Sequence, residues 1–436
     1  MPYKWWENEG VIRHPKHFML DSDRYLNPIN NILLAVRSTM NLPKKVKIED
    51  DTLREGIECP GGLWNRTQRE TQVKIAKTLQ EAGVKEIHIG MPATDPFAQE
   101  LVKALQDETP ELKLVAHIRA DKEYIDKTLE HGVDMGWMLF PVDDYRIKQR
   151  NPWCRTDTET HIVEDLCDRI SMGVEYAKER GVYIRAGVSS PVVAPLNRLV
   201  SVYKAAYEAG ADGTTVMDGY GINIPEATKF LTSIALSIFG PNKDIETHCH
   251  DDYGLAMANT AAFVSAGGNV VDCAVNGLGD RGGQASLEQI IPVLEILYGI
   301  DTGVDMTKLL GLSKLVEELY GIPVQPNKGI SGENCYVHEE DPHIAAILRA
   351  DGEWWGDNAI NPEYLGAKQY LHWGASSLHK GPNSCTALKI SQMGFTYNEK
   401  QLDEVLERII EIAKKNRYAT EEEVEKIIKD VYKESL

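Results

Sequence analysis

The stretch VYIRAGVSSPVVAPLNRLVSVYKAAYEAGADGTTVM at residues 182–217 decides the fold. It begins with an apolar, β-branched run at 182–188, continues with an amphipathic segment at 199–209, and reaches a second apolar run at 212–217. Gly210 stands where the helix must end, because glycine readily adopts the left-handed conformation of a helix C-cap. A strand, a helix and a second strand in this order form one β/α unit with parallel strands.

The same β/α unit recurs along the chain from residue 45 to residue 300. Further strands are predicted at 45–51, 85–91, 112–118, 133–140, 244–249 and 269–275, and further helices at 67–82, 96–107, 162–180, 225–238, 255–266 and 284–298. Eight units in about 255 residues are the size of a (β/α)8 TIM barrel. A doubly wound open sheet is the alternative, but no Gly-rich dinucleotide loop follows the first strand.

We therefore predict an α/β protein whose catalytic (β/α)8 barrel occupies residues 45–300. An N-terminal arm is expected at 1–44 and a linker or lid subdomain at 301–366. A mostly helical C-terminal subdomain is expected at 367–436, because its charged segments have helical periodicity.

The charge balance narrows the class of partner. The 436 residues include 47 Lys+Arg and 66 Asp+Glu, so the formal net charge is 47 − 66 = −19. Nucleic acids and anionic membranes both require a basic surface, so neither is expected as a partner. The sequence contains no long apolar run and no signal-peptide pattern, which predicts a cytoplasmic protein acting on small molecules.

Candidate metal ligands follow two of the predicted strands. The alternation of a strand places His248 and His250 on the same face at the end of the seventh strand. The first strand ends in DDTLREG at 50–56, and its carboxylates lie two strands away around a closed ring. Two imidazoles and a carboxylate at the catalytic end of a barrel predict a divalent metal site. Asp251 and Asp252 are expected to orient the imidazoles.

A glycine-rich loop follows the eighth strand at 276–284. Gly277 and Gly279 leave the backbone open to a ligand, and Arg281 and Gln284 lie in the same loop. The loop is therefore interpreted either as part of an anion-binding surface or as a closing loop.

Three motifs together resemble one enzyme family: DTLREG at 51–56, HCHDDYGLA at 248–256 and NGLGDRGG at 276–283. They are similar to the metal-dependent barrels that carry out acyl-CoA Claisen condensation, namely the isopropylmalate, homocitrate, citramalate and Re-type citrate synthases. Hydroxymethylglutaryl-CoA lyase shares this barrel. The resemblance extends to GIPVQPNKGISGENCYVHEEDPH at 321–343 and INPEYLG at 360–366.

The resemblance implies a ligand set and a catalytic cation. Glu55, His248 and His250 match the family's ligands for a divalent ion, which is Mn, Mg, Co or Zn. Arg54 matches the arginine that stabilises the enolate oxygen, and acetyl-CoA is the implied co-substrate.

Other positions match residues of the family that handle substrate. Arg119 falls where related enzymes hold a substrate carboxylate. His343 resembles a histidine that reaches into the neighbouring subunit's site for acid/base work, and His338 is a second candidate. The resemblance therefore implies a homodimer.

The chain departs from the family pattern around the expected acceptor pocket. Glu58 replaces the usual Gln after strand 1, His88 stands where relatives have Glu, and Gln284 replaces the common Asn. The ends of strands 5 and 6 read GVSSP at 187–191 and DGYG at 218–221. We infer that the metal chemistry is retained and the acceptor specificity altered. His88 is interpreted either as a substrate-binding residue or as an inward-facing barrel residue.

These observations predict an acyltransferase that condenses acetyl-CoA with a 2-oxo acid and hydrolyses the thioester. Oxaloacetate is favoured as acceptor because a polar pocket suits a small dicarboxylate, followed by 2-oxoglutarate or pyruvate. A metal-dependent carbon–carbon lyase or aldolase remains the alternative. A non-enzymatic binding subunit is less consistent with an intact set of ligands.

Overall fold

The computed structural model describes residues 31–350 and 359–433. It divides into two compact units, a barrel unit over Val36–Val324 and a C-terminal unit that includes the chain from Gln325 onward. The first thirty residues of the expected N-terminal arm lie outside the described residues.

Eight parallel strands close into a barrel in chain order. They are β1 (Lys47–Asp50), β2 (Glu86–His88), β3 (Lys113–His117), β4 (Met135–Pro141), β5 (Tyr183–Ser189), β6 (Gly213–Asp218), β7 (Asp244–Cys249) and β8 (Val270–Cys273). The ring closes where β1 pairs with β8, with Glu49 opposite Asp272 and Asp50 opposite Cys273. The predicted (β/α)8 barrel is therefore confirmed, and the doubly wound sheet is wrong.

Helices connect the strands and cover the barrel. Helix α1 (Asn31–Arg37) precedes β1 and crosses the boundary at Val36. The helices of the barrel unit are α2 (Arg69–Ala82), α3 (Pro96–Glu108), α4 (Lys122–Leu129), α5 (Asp144–Arg150), α6 (Glu159–Glu179), α7 (Leu196–Glu208), α8 (Pro225–Phe239), α9 (Ala256–Ser265), α10 (Leu287–Pro292) and α11 (Leu309–Tyr320). The short helices α4 and α5 are absent from the sequence prediction. Helix α11 groups with the barrel, although the linker was expected to begin at residue 301.

The C-terminal unit has its own hydrophobic core. It contains strands β9 (Val337–His338), β10 (Tyr370–Trp373) and β11 (Ala419–Thr420), and helices α12 (Asp341–Arg349), α13 (Cys385–Gln392), α14 (Glu399–Asn416) and α15 (Glu421–Lys433). The strands form one sheet in the order β11-β10-β9. Trp373 is fully buried, and its indole N–H donates to Thr386 Oγ1 at 3.1 Å. Across the described ranges, no helix is both long and apolar enough to cross a bilayer.

The loop after β8 is folded onto the end of β7. The N–H of Asp251 donates to the carbonyl of Gly283 at 2.9 Å, and His250 forms a bridge with Gln284. Gly283 has φ +80°, and a Cβ there would lie 2.0 Å from the carbonyl oxygen of Gly277. Only glycine fits this position, because the backbone conformation and the lack of space both exclude a side chain.

We expect Gly283→Ala to lower the free energy of unfolding by about 3 kcal/mol, since strain and a backbone clash add together. The matched control is Gly181→Ala, because Gly181 has φ +77° and open space around its Cβ position. The control is expected to cost only about 1 kcal/mol. Denaturant unfolding measures both values, and equal losses would contradict the close approach at Gly283.

Candidate metal centre and substrate cavity

The loop after β1 positions a carboxylate and a guanidinium at the catalytic end of the barrel. The carbonyl of Asp51 accepts from the N–H groups of Arg54 and Glu55 at 3.2 and 2.8 Å, which forms a tight turn. Thr52 ties this turn to neighbouring elements. Its Oγ1 accepts from the N–H of Val275 at 2.8 Å, and its carbonyl accepts from the hydroxyl of Tyr320 at 3.0 Å. The turn is therefore held by both the β8 loop and α11.

Two histidines of β7 face this turn. His248 is fully buried and His250 is 4% exposed, and their Nε2 atoms are 3.3 Å apart. The Oε1 atom of Glu55 is 3.7 Å from His250 Nε2. We call Glu55, His248 and His250 the metal triad, because one ligand atom from each lies within 4.8 Å of the others. The structure thus brings the three predicted ligands together.

The electrostatics of the triad match the protonation state that a metal ion requires. Burial raises the pKa of Glu55, but Arg54 and the two imidazoles outweigh it and bring the pKa down to about 2. Burial lowers the pKa of His248 to about 4, and burial with the adjacent His248 lowers that of His250 to about 4. At neutral pH the carboxylate is ionised and both imidazoles are neutral, as metal ligands must be. The donor set therefore fits a divalent ion.

A carboxylate that the sequence analysis did not single out orients His248. Asp272 of β8 lies 2.6 Å from His248 Nδ1, and this contact directs the Nε2 lone pair towards the other ligands. Asp252, which was expected in this role, instead accepts from Arg281 at 2.9 and 3.0 Å. The orienting role expected of Asp252 stays a prediction. Alternation along β8 was the available signal, because it points Asp272 into the barrel next to β7.

The glycine-rich loop completes the wall beside the triad. The N–H of Asp280 donates to Glu55 Oε1 at 3.3 Å, and a Cβ on Gly279 would lie 3.1 Å from Glu55 Cγ. Gly277 has φ +64° and turns the chain next to Ser286. Gln284 is 2% exposed, and neither of its amide atoms has a hydrogen-bond partner among the residues described.

A cavity of about 900 Å³ opens above the triad. Its lining includes Glu55 and His250 together with Glu58, Arg119 and Arg281. Burial raises the pKa of Glu58, although Arg54 opposes that rise. Arg119 lies over the ring of Tyr124 at 5.4 Å. The two predicted substrate residues Glu58 and Arg119, and the predicted loop residue Arg281, therefore share one cavity with Glu55 and His250 of the triad.

His88 does not line this cavity. Its ring is fully buried edge-on to Trp137, with the ring centroids 4.8 Å apart, and its Nδ1 is 3.8 Å from the carboxylate of Asp51. The expectation that His88 binds substrate is corrected, and the alternative of an inward-facing barrel residue describes it. Burial and the nearby cation of Arg54 hold its pKa well below the usual value.

Three further cavity residues were missed. Trp137 of β4 packs against the guanidinium of Arg54 at 5.6 Å, and its indole N–H donates to Thr215 Oγ1. Burial lowers the pKa of His117 to about 3. The third is Arg146 of α5. Trp137 and His117 were detectable as inward-facing strand residues, whereas Arg146 lies on a helix that was not predicted.

Arg146 is fixed by several contacts. It donates to Ser190 Oγ at 2.7 Å and to the carbonyl of Gly219 at 3.3 Å, and it stacks on the ring of Tyr220 at 3.7 Å. Ser190 has φ +56°, a strained conformation of the kind that concentrates at functional sites. The unusual ends of strands 5 and 6 therefore hold an arginine in the cavity wall.

His338 and His343, which were expected to act from the C-terminal region, lie in the C-terminal unit. Their rings are 6.3 Å apart, and His343 Nε2 is 2.8 Å from a carboxylate oxygen of Glu340. The catalytic parts assigned to His338 and His343 stay predictions.

We expect His250→Ala to lose one equivalent of divalent metal per chain, with affinity reduced at least ~100-fold. Losing a direct ligand costs more than losing an outer partner, which typically costs 10–100-fold. Equilibrium dialysis against Mn²⁺ followed by elemental analysis measures the loss. His161→Ala is the control, since its ring lies at the surface beside Asp157. An unchanged metal content in His250→Ala would disprove the triad.

Comparison with known proteins gives a consistent assignment. The HMGL-like family model matches residues 45–316. The chain is 32% identical to the 2-isopropylmalate synthase of Methanocaldococcus jannaschii, over 92% of this chain and 74% of the relative. It is also 32% identical to the homocitrate synthase AksA of Methanopyrus kandleri, over 91% of this chain and 95% of the relative.

Solved structures agree on the fold. The HMG-CoA lyase of Bacillus subtilis superimposes with a TM-score of 0.56 at 22% identity, covering 67% of this chain and 98% of the lyase. The family model matches the barrel, and the relatives match most of the chain. The protein therefore belongs to the HMGL-like family.

Proposed function

We propose that this protein is a divalent-metal-dependent acyltransferase that condenses acetyl-CoA with a 2-oxo acid, and that its acceptor is oxaloacetate. The proposal rests on one observation: Glu55 and His250 of the metal triad line one cavity of about 900 Å³ together with Arg54. The relatives support the reaction class, because those named above are 2-isopropylmalate and homocitrate synthases.

The triad and Arg54 divide the chemistry between them. When bound, a divalent ion supplies Lewis-acid polarisation of the acceptor's ketone. Glu55, His248 and His250 hold it, and Asp272 keeps His248 in the required orientation. Arg54 lines the cavity with its side chain only 15% exposed, between Asp51 and Glu55. In so sheltered a position its cation stabilises the oxyanion that develops when acetyl-CoA loses a methyl proton.

The charge of the cavity wall supports a dicarboxylate acceptor, the class to which oxaloacetate belongs. Six arginines line the cavity against four carboxylates: Arg54, Arg119, Arg146, Arg150, Arg169 and Arg281, and Glu55, Glu58, Asp121 and Asp280. This excess of positive charge suits an acceptor with a second carboxylate beyond the 2-oxo acid group. Arg146 is the residue proposed to bind that second carboxylate, because Ser190 and Tyr220 fix its guanidinium.

The condensation also requires a base and a step that makes it irreversible. A base must remove the methyl proton, and His343, with His338 as the second candidate, is assigned this acid/base work. The expected homodimer supplies His343 from the neighbouring subunit, and the C-terminal region acts as a lid that excludes water. Hydrolysis of the citryl thioester then makes the condensation irreversible.

The test measures CoA release from acetyl-CoA with Mn²⁺, using oxaloacetate, 2-oxoglutarate, pyruvate and 2-oxoisovalerate in turn. We expect release with oxaloacetate at the highest kcat/KM. Release with another acceptor alone would overturn the choice of oxaloacetate but keep the reaction class. If none of the four acceptors gives CoA release in protein shown to hold metal, the condensation is rejected and a lyase is favoured.

We expect Arg146→Ala to raise the KM for oxaloacetate about 10–100-fold, since a charge-assisted hydrogen bond is worth about 1.5–3 kcal/mol. The KM for acetyl-CoA should not change. Arg180→Ala is the control, because Arg180 is an exposed arginine paired with Asp126 outside the cavity. Steady-state kinetics give both values, and an unchanged acceptor KM would remove Arg146 from the acceptor site.

A further inference from the structure

A second group of carboxylates lies inside the barrel on the three neighbouring strands β7, β8 and β1. Glu246, Asp272 and Glu49 are all fully buried, and one oxygen from each lies within 4.8 Å of the others. Glu49 and Asp272 are direct partners in the β1–β8 register. We call these three residues the interior carboxylates. Asp272 connects the interior carboxylates to the metal triad, because it contacts His248.

In the described part of the chain, one oxygen of each interior carboxylate has a polar partner and the other oxygen has none. Arg185 donates to Glu49 Oε2, Thr215 Oγ1 to Glu246 Oε2, and His248 Nδ1 lies 2.6 Å from Asp272 Oδ2. Glu49 Oε1, Glu246 Oε1 and Asp272 Oδ1 have no hydrogen-bond partner within residues 31–350 and 359–433. Three buried oxygens without donors are a rare arrangement, because burying a carboxylate oxygen without a partner is costly.

The charges around this group do not balance. Two more carboxylates, Glu86 and Asp244, share the cations of Arg185 and Lys47. Within the described residues, Arg185 and Lys47 are the cations that contact these five carboxylates, so with every carboxylate ionised the formal charge is 2 − 5 = −3. Buried charge of one sign destabilises a fold unless a counter-charge is supplied. A divalent cation would reduce the imbalance to −1.

The donor set determines the kind of ion. All three ligands are carboxylates, and hard cations such as Mg²⁺, Mn²⁺ and Ca²⁺ take oxygen ligands of this kind. We propose that Glu49, Glu246 and Asp272 bind a second hard divalent cation, of the Mg²⁺ or Mn²⁺ kind, inside the barrel. This ion is structural: it offsets the buried negative charge and fixes Asp272, which in turn orients His248.

The experiment counts metal ions and locates them with Mn²⁺ as the probe. Wild-type protein dialysed against Mn²⁺ should contain two equivalents per chain, and Glu246→Gln should contain one. His250→Ala should also contain one, because it removes only the ion of the triad. Glu86→Gln is the matched control, since it removes a buried carboxylate next to Arg185 that is not among the interior carboxylates. It should keep both ions.

Anomalous diffraction from wild-type crystals grown with Mn²⁺ decides the location without any variant. A peak between Glu49, Glu246 and Asp272 is expected in addition to a peak at the triad. A single peak at the triad, or a second peak elsewhere, would overturn the proposal. Protons shared among the interior carboxylates would then neutralise the buried charge. If Glu246→Gln fails to fold, this measurement still decides. Because CoA release is measured separately, failure of this proposal and failure of the proposed function are distinguishable.

Discussion

The pairing of β1 with β8 is the contact on which the site depends. Four register pairs join the first and last strands of the barrel, and the N–H of Asp51 continues the pattern by donating to the carbonyl of Cys273 at 2.8 Å. Without this pairing, Glu55 would have no fixed relation to the histidines of β7, which lie almost 200 residues later in the chain. Closing the barrel therefore also brings the three residues of the metal triad together.

The interior of the barrel is unusually polar for a protein core. Cores are normally apolar, but the inward positions of β1, β7 and β8 here include Glu49, Glu246, Asp272 and His248, all fully buried. Arg185, also fully buried, binds Glu49, Glu86 and Asp244 across the barrel. Such a network favours a fixed geometry over maximal stability, since an apolar core of equal volume would be at least as stable.

The sequence predicted the site best where functional residues follow the two-residue alternation of side chains along a strand. His248 and His250 are two residues apart on a strand, so alternation and barrel topology predicted that a carboxylate from the end of β1 lies near them, and the family resemblance identified that carboxylate as Glu55. Sequence reasoning failed for Arg146, because a side chain fixed by Ser190 and Tyr220 depends on three separate loops. For His88, the strand period predicted an inward direction but not the depth within the barrel. His88 is fully buried and contacts Trp137 edge-on, and Trp137, unlike His88, lines the cavity.

The separation of Arg146 from the metal triad has an evolutionary consequence. Arg146 follows β4, whereas the triad comes from the ends of β1 and β7, and the sheet order places β4 three strands away from either. Insertions or substitutions after β4 therefore leave the backbone that carries the ion's ligands untouched. One half of the ring can therefore change by loop variation while the triad on the other half stays in place.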